Sequence, residues 1–149
     1  MSKNTVAFSL FGADELRNTL CDALNFEAGK IMTHQFPDEE VMITIDTDLR
    51  SKSVIFILST DRPNAKTLPL ILAVETAREL GANKIGLIAP YLAYMRQDIQ
   101  FHSGEGISSK YFARVLSSYV DWLITIDPHL HGWHSLNEVF TIETKVLHA

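Results

Sequence analysis

Asp127-Pro128-His129-Leu130-His131 sets a carboxylate and two imidazoles on alternate positions. In extended backbone, residues two apart point the same way, so Asp127, His129 and His131 can converge on one ion. Carboxylate plus imidazole suits Mg²⁺, Mn²⁺ or Zn²⁺, and Mg²⁺ commonly keeps several waters and borrows oxygens from phosphates. The plainer alternative is a loop in which Asp127 caps a turn and the histidines are surface residues. Upstream, Pro90-Tyr91-Leu92-Ala93-Tyr94-Met95-Arg96-Gln97-Asp98 puts two aromatic rings beside a guanidinium, an amide and a carboxylate. Arginine can hold a phosphate with two parallel hydrogen bonds, and tyrosine rings offer faces to a base or a cation. The competing structural reading is a packed loop with an Arg96–Asp98 surface pair, which would be worth little.

Phe36-Pro37-Asp38-Glu39-Glu40 joins an aromatic ring to three carboxylates. These acids would repel a triphosphate but can accept hydrogen bonds from an adenine amino group or ribose hydroxyls. Taken alone, this segment also reads as a solvated acidic turn. Gly104-Glu105-Gly106 before a helix could cradle an anion on backbone N–H groups. Neither GxxxxGK[ST] nor GxGxxG occurs, so the common nucleotide fingerprints are absent.

The elements that must position these segments follow a strand–helix–strand rhythm. Val6–Phe11 reads as a strand, and Asp14–Leu24 carries Leu16, Leu20, Ala23 and Leu24 at helical spacing. Lys30–Phe36 and Val41–Ile45 alternate like strands with one wet face, joined at Pro37-Asp38-Glu39. Ser53–Leu58 and Ile85–Ala89 are continuous apolar runs, as expected of central parallel strands covered on both faces. Asn64–Leu80 is predicted as a helix capped by Asn64 and closed by Gly81, with Pro69 early in it. Gly106–Tyr119 is a further helix, Trp122–Ile126 a strand, Ser135–Phe140 a short helix, and Thr144–Ala149 a strand-like run. Helices between apolar strands imply an α/β fold, a mostly parallel sheet flanked by helices. Ligands in such sheets bind outside the carboxyl ends of the strands, where the segments after Ala89 and after Ile126 fall.

Composition narrows the function classes. At 149 residues one domain is expected, given roughly 100–200 residues per domain. Thirteen basic against eighteen acidic residues give a net charge of −5, which argues against broad nucleic-acid or anionic-membrane binding. The single cysteine, Cys21, excludes an internal disulfide and fits a reducing compartment. No apolar run approaches the ~20 residues that cross a bilayer. Lys3 with Val6–Phe11 reads as a buried first strand rather than a signal peptide, since Asp14-Glu15 follow at once. A cytoplasmic location is expected.

In order and spacing these segments resemble the amino-terminal half of ribose-phosphate pyrophosphokinase, the phosphoribosyl pyrophosphate synthetase. Phe36-Pro37-Asp38-Glu39-Glu40 resembles that family's F-x-D-G-E loop, and Pro90 through Asp98 its P-Y-x-x-Y-x-R-Q-D segment. Ile107-Ser108-Ser109-Lys110 is similar to the helix start I-S-A-K, and Asp127-Pro128-His129 to D-L-H. The resemblance implies a phosphoribosyltransferase-like domain and transfer of the diphosphoryl group of Mg-ATP to the anomeric hydroxyl of ribose 5-phosphate, releasing AMP. It further implies that Phe36 stacks on adenine and that Asp38, Glu39 and Glu40 lie on the adenine and ribose side, contributed from a neighbouring subunit of a homo-oligomer. Arg96 and Gln97 would hold ATP, His129 would serve the Mg²⁺ site, and Asp127 would serve it by orienting the loop. Glu39 stands at the family's glycine, Ile99 and Gln100 where many members have basic residues, and Pro128 in place of leucine.

The family's acidic pentose-phosphate loop and mobile basic catalytic loop belong to a second half that these 149 residues do not contain. Residues 1–149 are therefore expected to be a single ATP-side domain with no catalytic residue of its own, inactive in isolation. The strand-like run at the end suggests a cut at a domain boundary. Two other readings compete: a non-catalytic assembly or regulatory module associated with a synthetase, and a metal-dependent hydrolase built on His129-x-His131.

Overall fold

The computed structural model describes residues 3–149. In chain order the elements are β1 (Thr5–Ser9), α1 (Asp14–Leu24), β2 (Glu27–Ala28), β3 (Ile31–Gln35), β4 (Val41–Ile45), β5 (Ser53–Ile57), α2 (Pro63–Glu79), β6 (Lys84–Ala89), α3 (Ser108–Tyr119), β7 (Trp122–Ile126) and β8 (Glu143–Leu147). A single 3₁₀ turn, Leu136–Glu138, precedes β8. Six strands pair in the order β2-β1-β5-β6-β7-β8, every pairing parallel. β3 and β4 form a separate antiparallel hairpin, with Gln35 opposite Val41 beside its tip.

Both faces of the main sheet are covered at its centre, which is why β1, β5 and β6 read as unbroken apolar runs. Alternate residues go to opposite layers. Val6, Phe8, Val54, Phe56, Ile85 and Leu87 pack with Leu70, Val74 and Ala77 of α2 and with Phe112 and Leu116 of α3. Ala7, Ile55 and Ile57 meet Leu16, Leu20 and Cys21 of α1 on the other side. Each large side chain so enclosed contributes roughly 1.5–3 kcal/mol. Burial raises the Cys21 thiol pKa above its ordinary value, opposed by the nearby Arg17 and Lys3 charges. Gly86 in β6 lets the Trp122 indole lie flat on the backbone: a Cβ there would sit 1.9 Å from Trp122 Cε2.

Several boundaries differ from the sequence reading, each for a local reason. The first strand ends at Ser9, because Phe11 turns into left-handed backbone (φ 55°) and is exposed on the way to α1. Asn64 does not cap α2. Pro63 opens that helix, Arg62 precedes it in left-handed conformation, and Asn64 accepts instead from the Tyr94 hydroxyl. Pro69 lies inside α2 and is buried, and the helix continues past it to Glu79, with Gly81 (φ 97°) turning the chain two residues beyond. α3 starts at Ser108 rather than Gly106, and its inward face is Ser109, Phe112, Ala113 and Leu116, leaving Tyr111 and Val115 outside.

Candidate functional site

The loop after β6 is stapled to the end of β5 by one buried hydroxyl. Thr60, 2% exposed, donates from Oγ1 to the Tyr91 carbonyl at 2.9 Å and accepts the Ala93 N–H at 2.8 Å. Its own N–H also reaches the Tyr91 carbonyl, at 2.9 Å. Tyr94 then takes left-handed backbone (φ 67°), its ring tilted against Phe112. Non-glycine residues rarely adopt that conformation, and it persists here because the hydroxyl, the ring and the neighbouring turn all fix it. The consequence is that Met95 points inward while Arg96 and Gln97 stay exposed.

A second set of bonds joins this loop to the one after β7. The Asp98 carboxylate accepts the Gly132 N–H at 2.6 Å, and the Arg96–Asp98 surface pair of the competing reading does not occur. Ser109, fully buried at the start of α3, donates its N–H to the Gln97 carbonyl at 3.2 Å and accepts the Trp133 indole N–H at 3.1 Å. Arg96 has no ion-pair partner among the described residues. Its guanidinium is therefore available to an anion.

The result is a cavity of 350 Å³ at the carboxyl ends of β6 and β7, lined by Arg96, Asp127, His129 and His131 among others. The two imidazole rings lie 4.3 Å apart, centroid to centroid. Asp127, His129 and His131 do not form a three-ligand cluster: among the described residues no three His, Cys, Asp or Glu are grouped to hold a metal ion. The alternation argument fails because Asp127 is in left-handed backbone, φ 42°, rather than extended. Its carboxylate turns to the Ala149 N–H (3.0 Å) and to His148 Nδ1 (2.8 Å). The Ala149 N–H first, and then His148, hold that carboxyl below its usual pKa range. This donor set does not suit a closed, protein-only metal centre. Apart from Asp127 it offers imidazoles, so a hard cation held here would take most of its ligands from phosphate oxygens and waters.

Gln97 lies on the adjoining cavity of 570 Å³, which Arg96 and Tyr91 also line, together with Arg62, Asn64 and Tyr94. The acidic segment is elsewhere. Glu39 and Glu40 line a third cavity, of 390 Å³, under the β3–β4 hairpin. Asn64 and Ala65, in the first turn of α2, border both it and the 570 Å³ cavity. Phe36 is 39% exposed and meets His34 edge-on, and Asp38 accepts the Glu40 N–H at 3.1 Å. Glu39 keeps left-handed backbone, φ 74°, with its N–H on the Phe36 carbonyl. That is the conformation glycine favours, so the substitution at this position leaves the turn's shape in place. The Gly104–Gly106 loop holds no anion cradle: Glu105 folds back onto the His102 N–H, and α3 begins only at Ser108.

Thr60, Gly132 and Trp133 were not singled out from sequence, and Asn64, Asp98 and Ser109 were named only as a helix cap, an Arg96 partner and part of a helix start. Asp98 and Gly132 are 34 residues apart, and Thr60 and Ala93 are 33 apart. Only the sheet brings them together.

A parallel α/β domain with an arginine- and histidine-lined cleft at its strand ends is of the open-sheet class that binds ligands outside the carboxyl ends of its strands. Comparison with known proteins narrows that class. The family profile described as the N-terminal domain of ribose phosphate pyrophosphokinase matches residues 5–119. The ribose-phosphate pyrophosphokinase of Saccharolobus solfataricus is 40% identical over 120 residues, covering 79% of this chain and 40% of that protein. Ribose-phosphate pyrophosphokinase 1 of Streptococcus pyogenes is 33% identical over 124 residues, 82% of this chain and 39% of that one. A crystal structure of phosphoribosylpyrophosphate synthetase from Mycobacterium smegmatis superposes with a TM-score of 0.86 at 19% identity, over 99% of this chain and 49% of that one. The chain belongs to the ribose-phosphate pyrophosphokinase family, as its N-terminal domain. It spans about two fifths of the length of the curated relatives it matches.

Proposed function

We propose that this domain is the ATP side of a ribose-phosphate diphosphokinase, which moves the diphosphoryl group of Mg-ATP to ribose 5-phosphate and releases AMP. The observation that carries the reading is the shared 350 Å³ cavity, where an unpaired Arg96 faces the His129 loop. In the reaction the anomeric hydroxyl oxygen of the pentose attacks the β-phosphorus of ATP. The bond from that phosphorus to the α–β bridging oxygen breaks, AMP leaves with the electron pair, and the hydroxyl proton passes to water. Such transfers ask a protein chiefly to position groups and to spread negative charge.

Here Arg96 would chelate phosphate oxygens through two parallel N–H donors, and Gln97 would hydrogen-bond the nucleotide from the adjoining cavity. His129 would hold a Mg²⁺ delivered with the phosphates, and Asp127 would fix the loop that carries it. Bound there, the cation would neutralise charge developing on the transferred group. Phe36, Asp38, Glu39 and Glu40 line no part of that cavity within one chain. We assign them to the adenine and ribose of a neighbouring copy's nucleotide, which makes the working form a homo-oligomer. Residues 1–149 are read as one ATP-side domain and the pentose-phosphate site as lying outside them, in a cytoplasmic enzyme. Among the described residues no helix is long and apolar enough to cross a membrane.

Calorimetry tests the assignment. Mg-ATP binds the 149-residue chain, and Arg96→Ala weakens it by about tenfold or more, since a charge-assisted hydrogen bond is worth roughly 1.5–3 kcal/mol. A coupled AMP assay on the same chain with ATP and ribose 5-phosphate gives no turnover. Unchanged affinity in the variant removes Arg96 from the site, and turnover above background refutes the division of labour.

A further inference from the structure

Arg96 and His129 sit on different loops, after different strands, so something must set their spacing to a phosphate chain and its cation. We propose that Asp98 is that positioning residue. It lies two residues beyond Arg96, and its carboxylate accepts the N–H of Gly132, three residues beyond His129, at 2.6 Å. The proposal rests on the Mg-ATP reading of the cavity.

The fit around this bond is close on both sides. Asp98 is half-buried, and a Cβ on Gly132 would stand 2.4 Å from Asp98 Cγ and 2.5 Å from Oδ2. A side chain at position 132 would thus push the carboxylate away from the backbone N–H it holds. The bond ties the 130s loop from one side, while the Ser109 hydroxyl ties it from the other through Trp133. Because Ser109 also holds the Gln97 carbonyl, the guanidinium loop is anchored independently of Asp98. Loss of the carboxylate therefore removes one of the histidine loop's two ties, leaving it held by Trp133 alone, and leaves Arg96 and Gln97 in place. Asp98 acts through His129, on the metal-dependent part of nucleotide binding, and touches no phosphate itself.

That asymmetry gives a readout beyond stability: the ratio of ATP affinities of the 149-residue chain with and without Mg²⁺. In Asp98→Ala, metal-free ATP binding stays within about twofold, while the gain on adding Mg²⁺ falls about 10–100-fold, as when the partner orienting a metal ligand is removed. Asp98→Asn keeps a carbonyl oxygen to accept the Gly132 N–H and retains most of the gain. Gly132→Ala, which perturbs the same contact from the other loop, reproduces the loss. Combining it with Asp98→Ala costs no more than either alone, because the two share one interaction. Equal losses with and without metal make Asp98 a structural residue only, and an undiminished Mg²⁺ gain in both single variants also overturns the proposal. If the unmodified chain binds no Mg-ATP, the functional reading itself fails, and the positioning role falls with it.

Discussion

Replacing Thr60 with valine isolates one hydroxyl on which the geometry of the Arg96 loop depends. Valine conserves the volume, so packing changes little and the polar loss dominates. The Tyr91 carbonyl keeps a partner after the change, because the Thr60 N–H already reaches it at 2.9 Å. The Ala93 N–H does not. It loses its acceptor at 2.8 Å, and Ala93 is only 3% exposed, so water cannot replace it. An orphaned buried donor costs about 1–3 kcal/mol, and the lost hydroxyl donation adds the low end of about 0.5–1.5 kcal/mol. The expected destabilisation is therefore about 1.5–3.5 kcal/mol. With a urea dependence of about 2 kcal/mol per molar for a domain of this size, the midpoint falls by roughly 1–2 M. Urea titration followed by circular dichroism measures this, and amide exchange at Ala93 should quicken in parallel. Thr60→Ser restores the hydroxyl and recovers most of the loss. A midpoint for Thr60→Val indistinguishable from the unmodified chain would refute the claim that this hydroxyl holds the loop.

Two further outcomes follow from the packing and the charges. Gly86→Ala forces the Trp122 ring off the sheet, since the new Cβ falls 1.9 Å from Trp122 Cε2; overpacking of this kind costs about 1–3 kcal/mol, read as a lowered thermal midpoint and a red shift in tryptophan emission, and an unaltered midpoint contradicts the contact. Asp48 is held down to about 2 by the Arg50 side chain, at 3.0 Å and 3.2 Å, and then by the Arg50 N–H. Its folded-state pKa is below the unfolded one of about 3.9. Its contribution is thus complete above the unfolded value and disappears as pH falls through about 2. The thermal midpoint of Asp48→Asn should lie below that of the unmodified chain at neutral pH, and the gap should close on acidification. A gap that widens toward pH 2 would contradict the pairing.

Much of the scaffold was legible along the chain. α1, β4 and β7 fall on their expected boundaries, and strands covered on both faces declare themselves as apolar runs. The ends were less legible. Asn64 is an ordinary capping residue by type, yet the Tyr94 hydroxyl claims its side chain, a contact across 30 residues. Asp127 reads as part of an alternating ligand triad, yet its left-handed backbone and its bonds to His148 and Ala149 turn it away from that role. Local preference sets the candidates, and the tertiary partner decides among them.

By itself the sequence determined the α/β class, the order of the elements, the family resemblance and the segments that carry Arg96 and His129. Hydrophobic periodicity is a property of neighbouring residues, and so are the motif's residue types. Tertiary structure alone decided that these two loops share one cavity while the Phe36–Glu40 tip lies on another. It also brought together Thr60, Ser109, Asp98 and Gly132, whose hydrogen bonds tie these loops to each other and to the end of β5. Hydrogen bonds across 33 and 34 residues leave no trace in local patterning. They exist only once parallel pairing of β5, β6 and β7 has placed the carboxyl ends of those strands side by side.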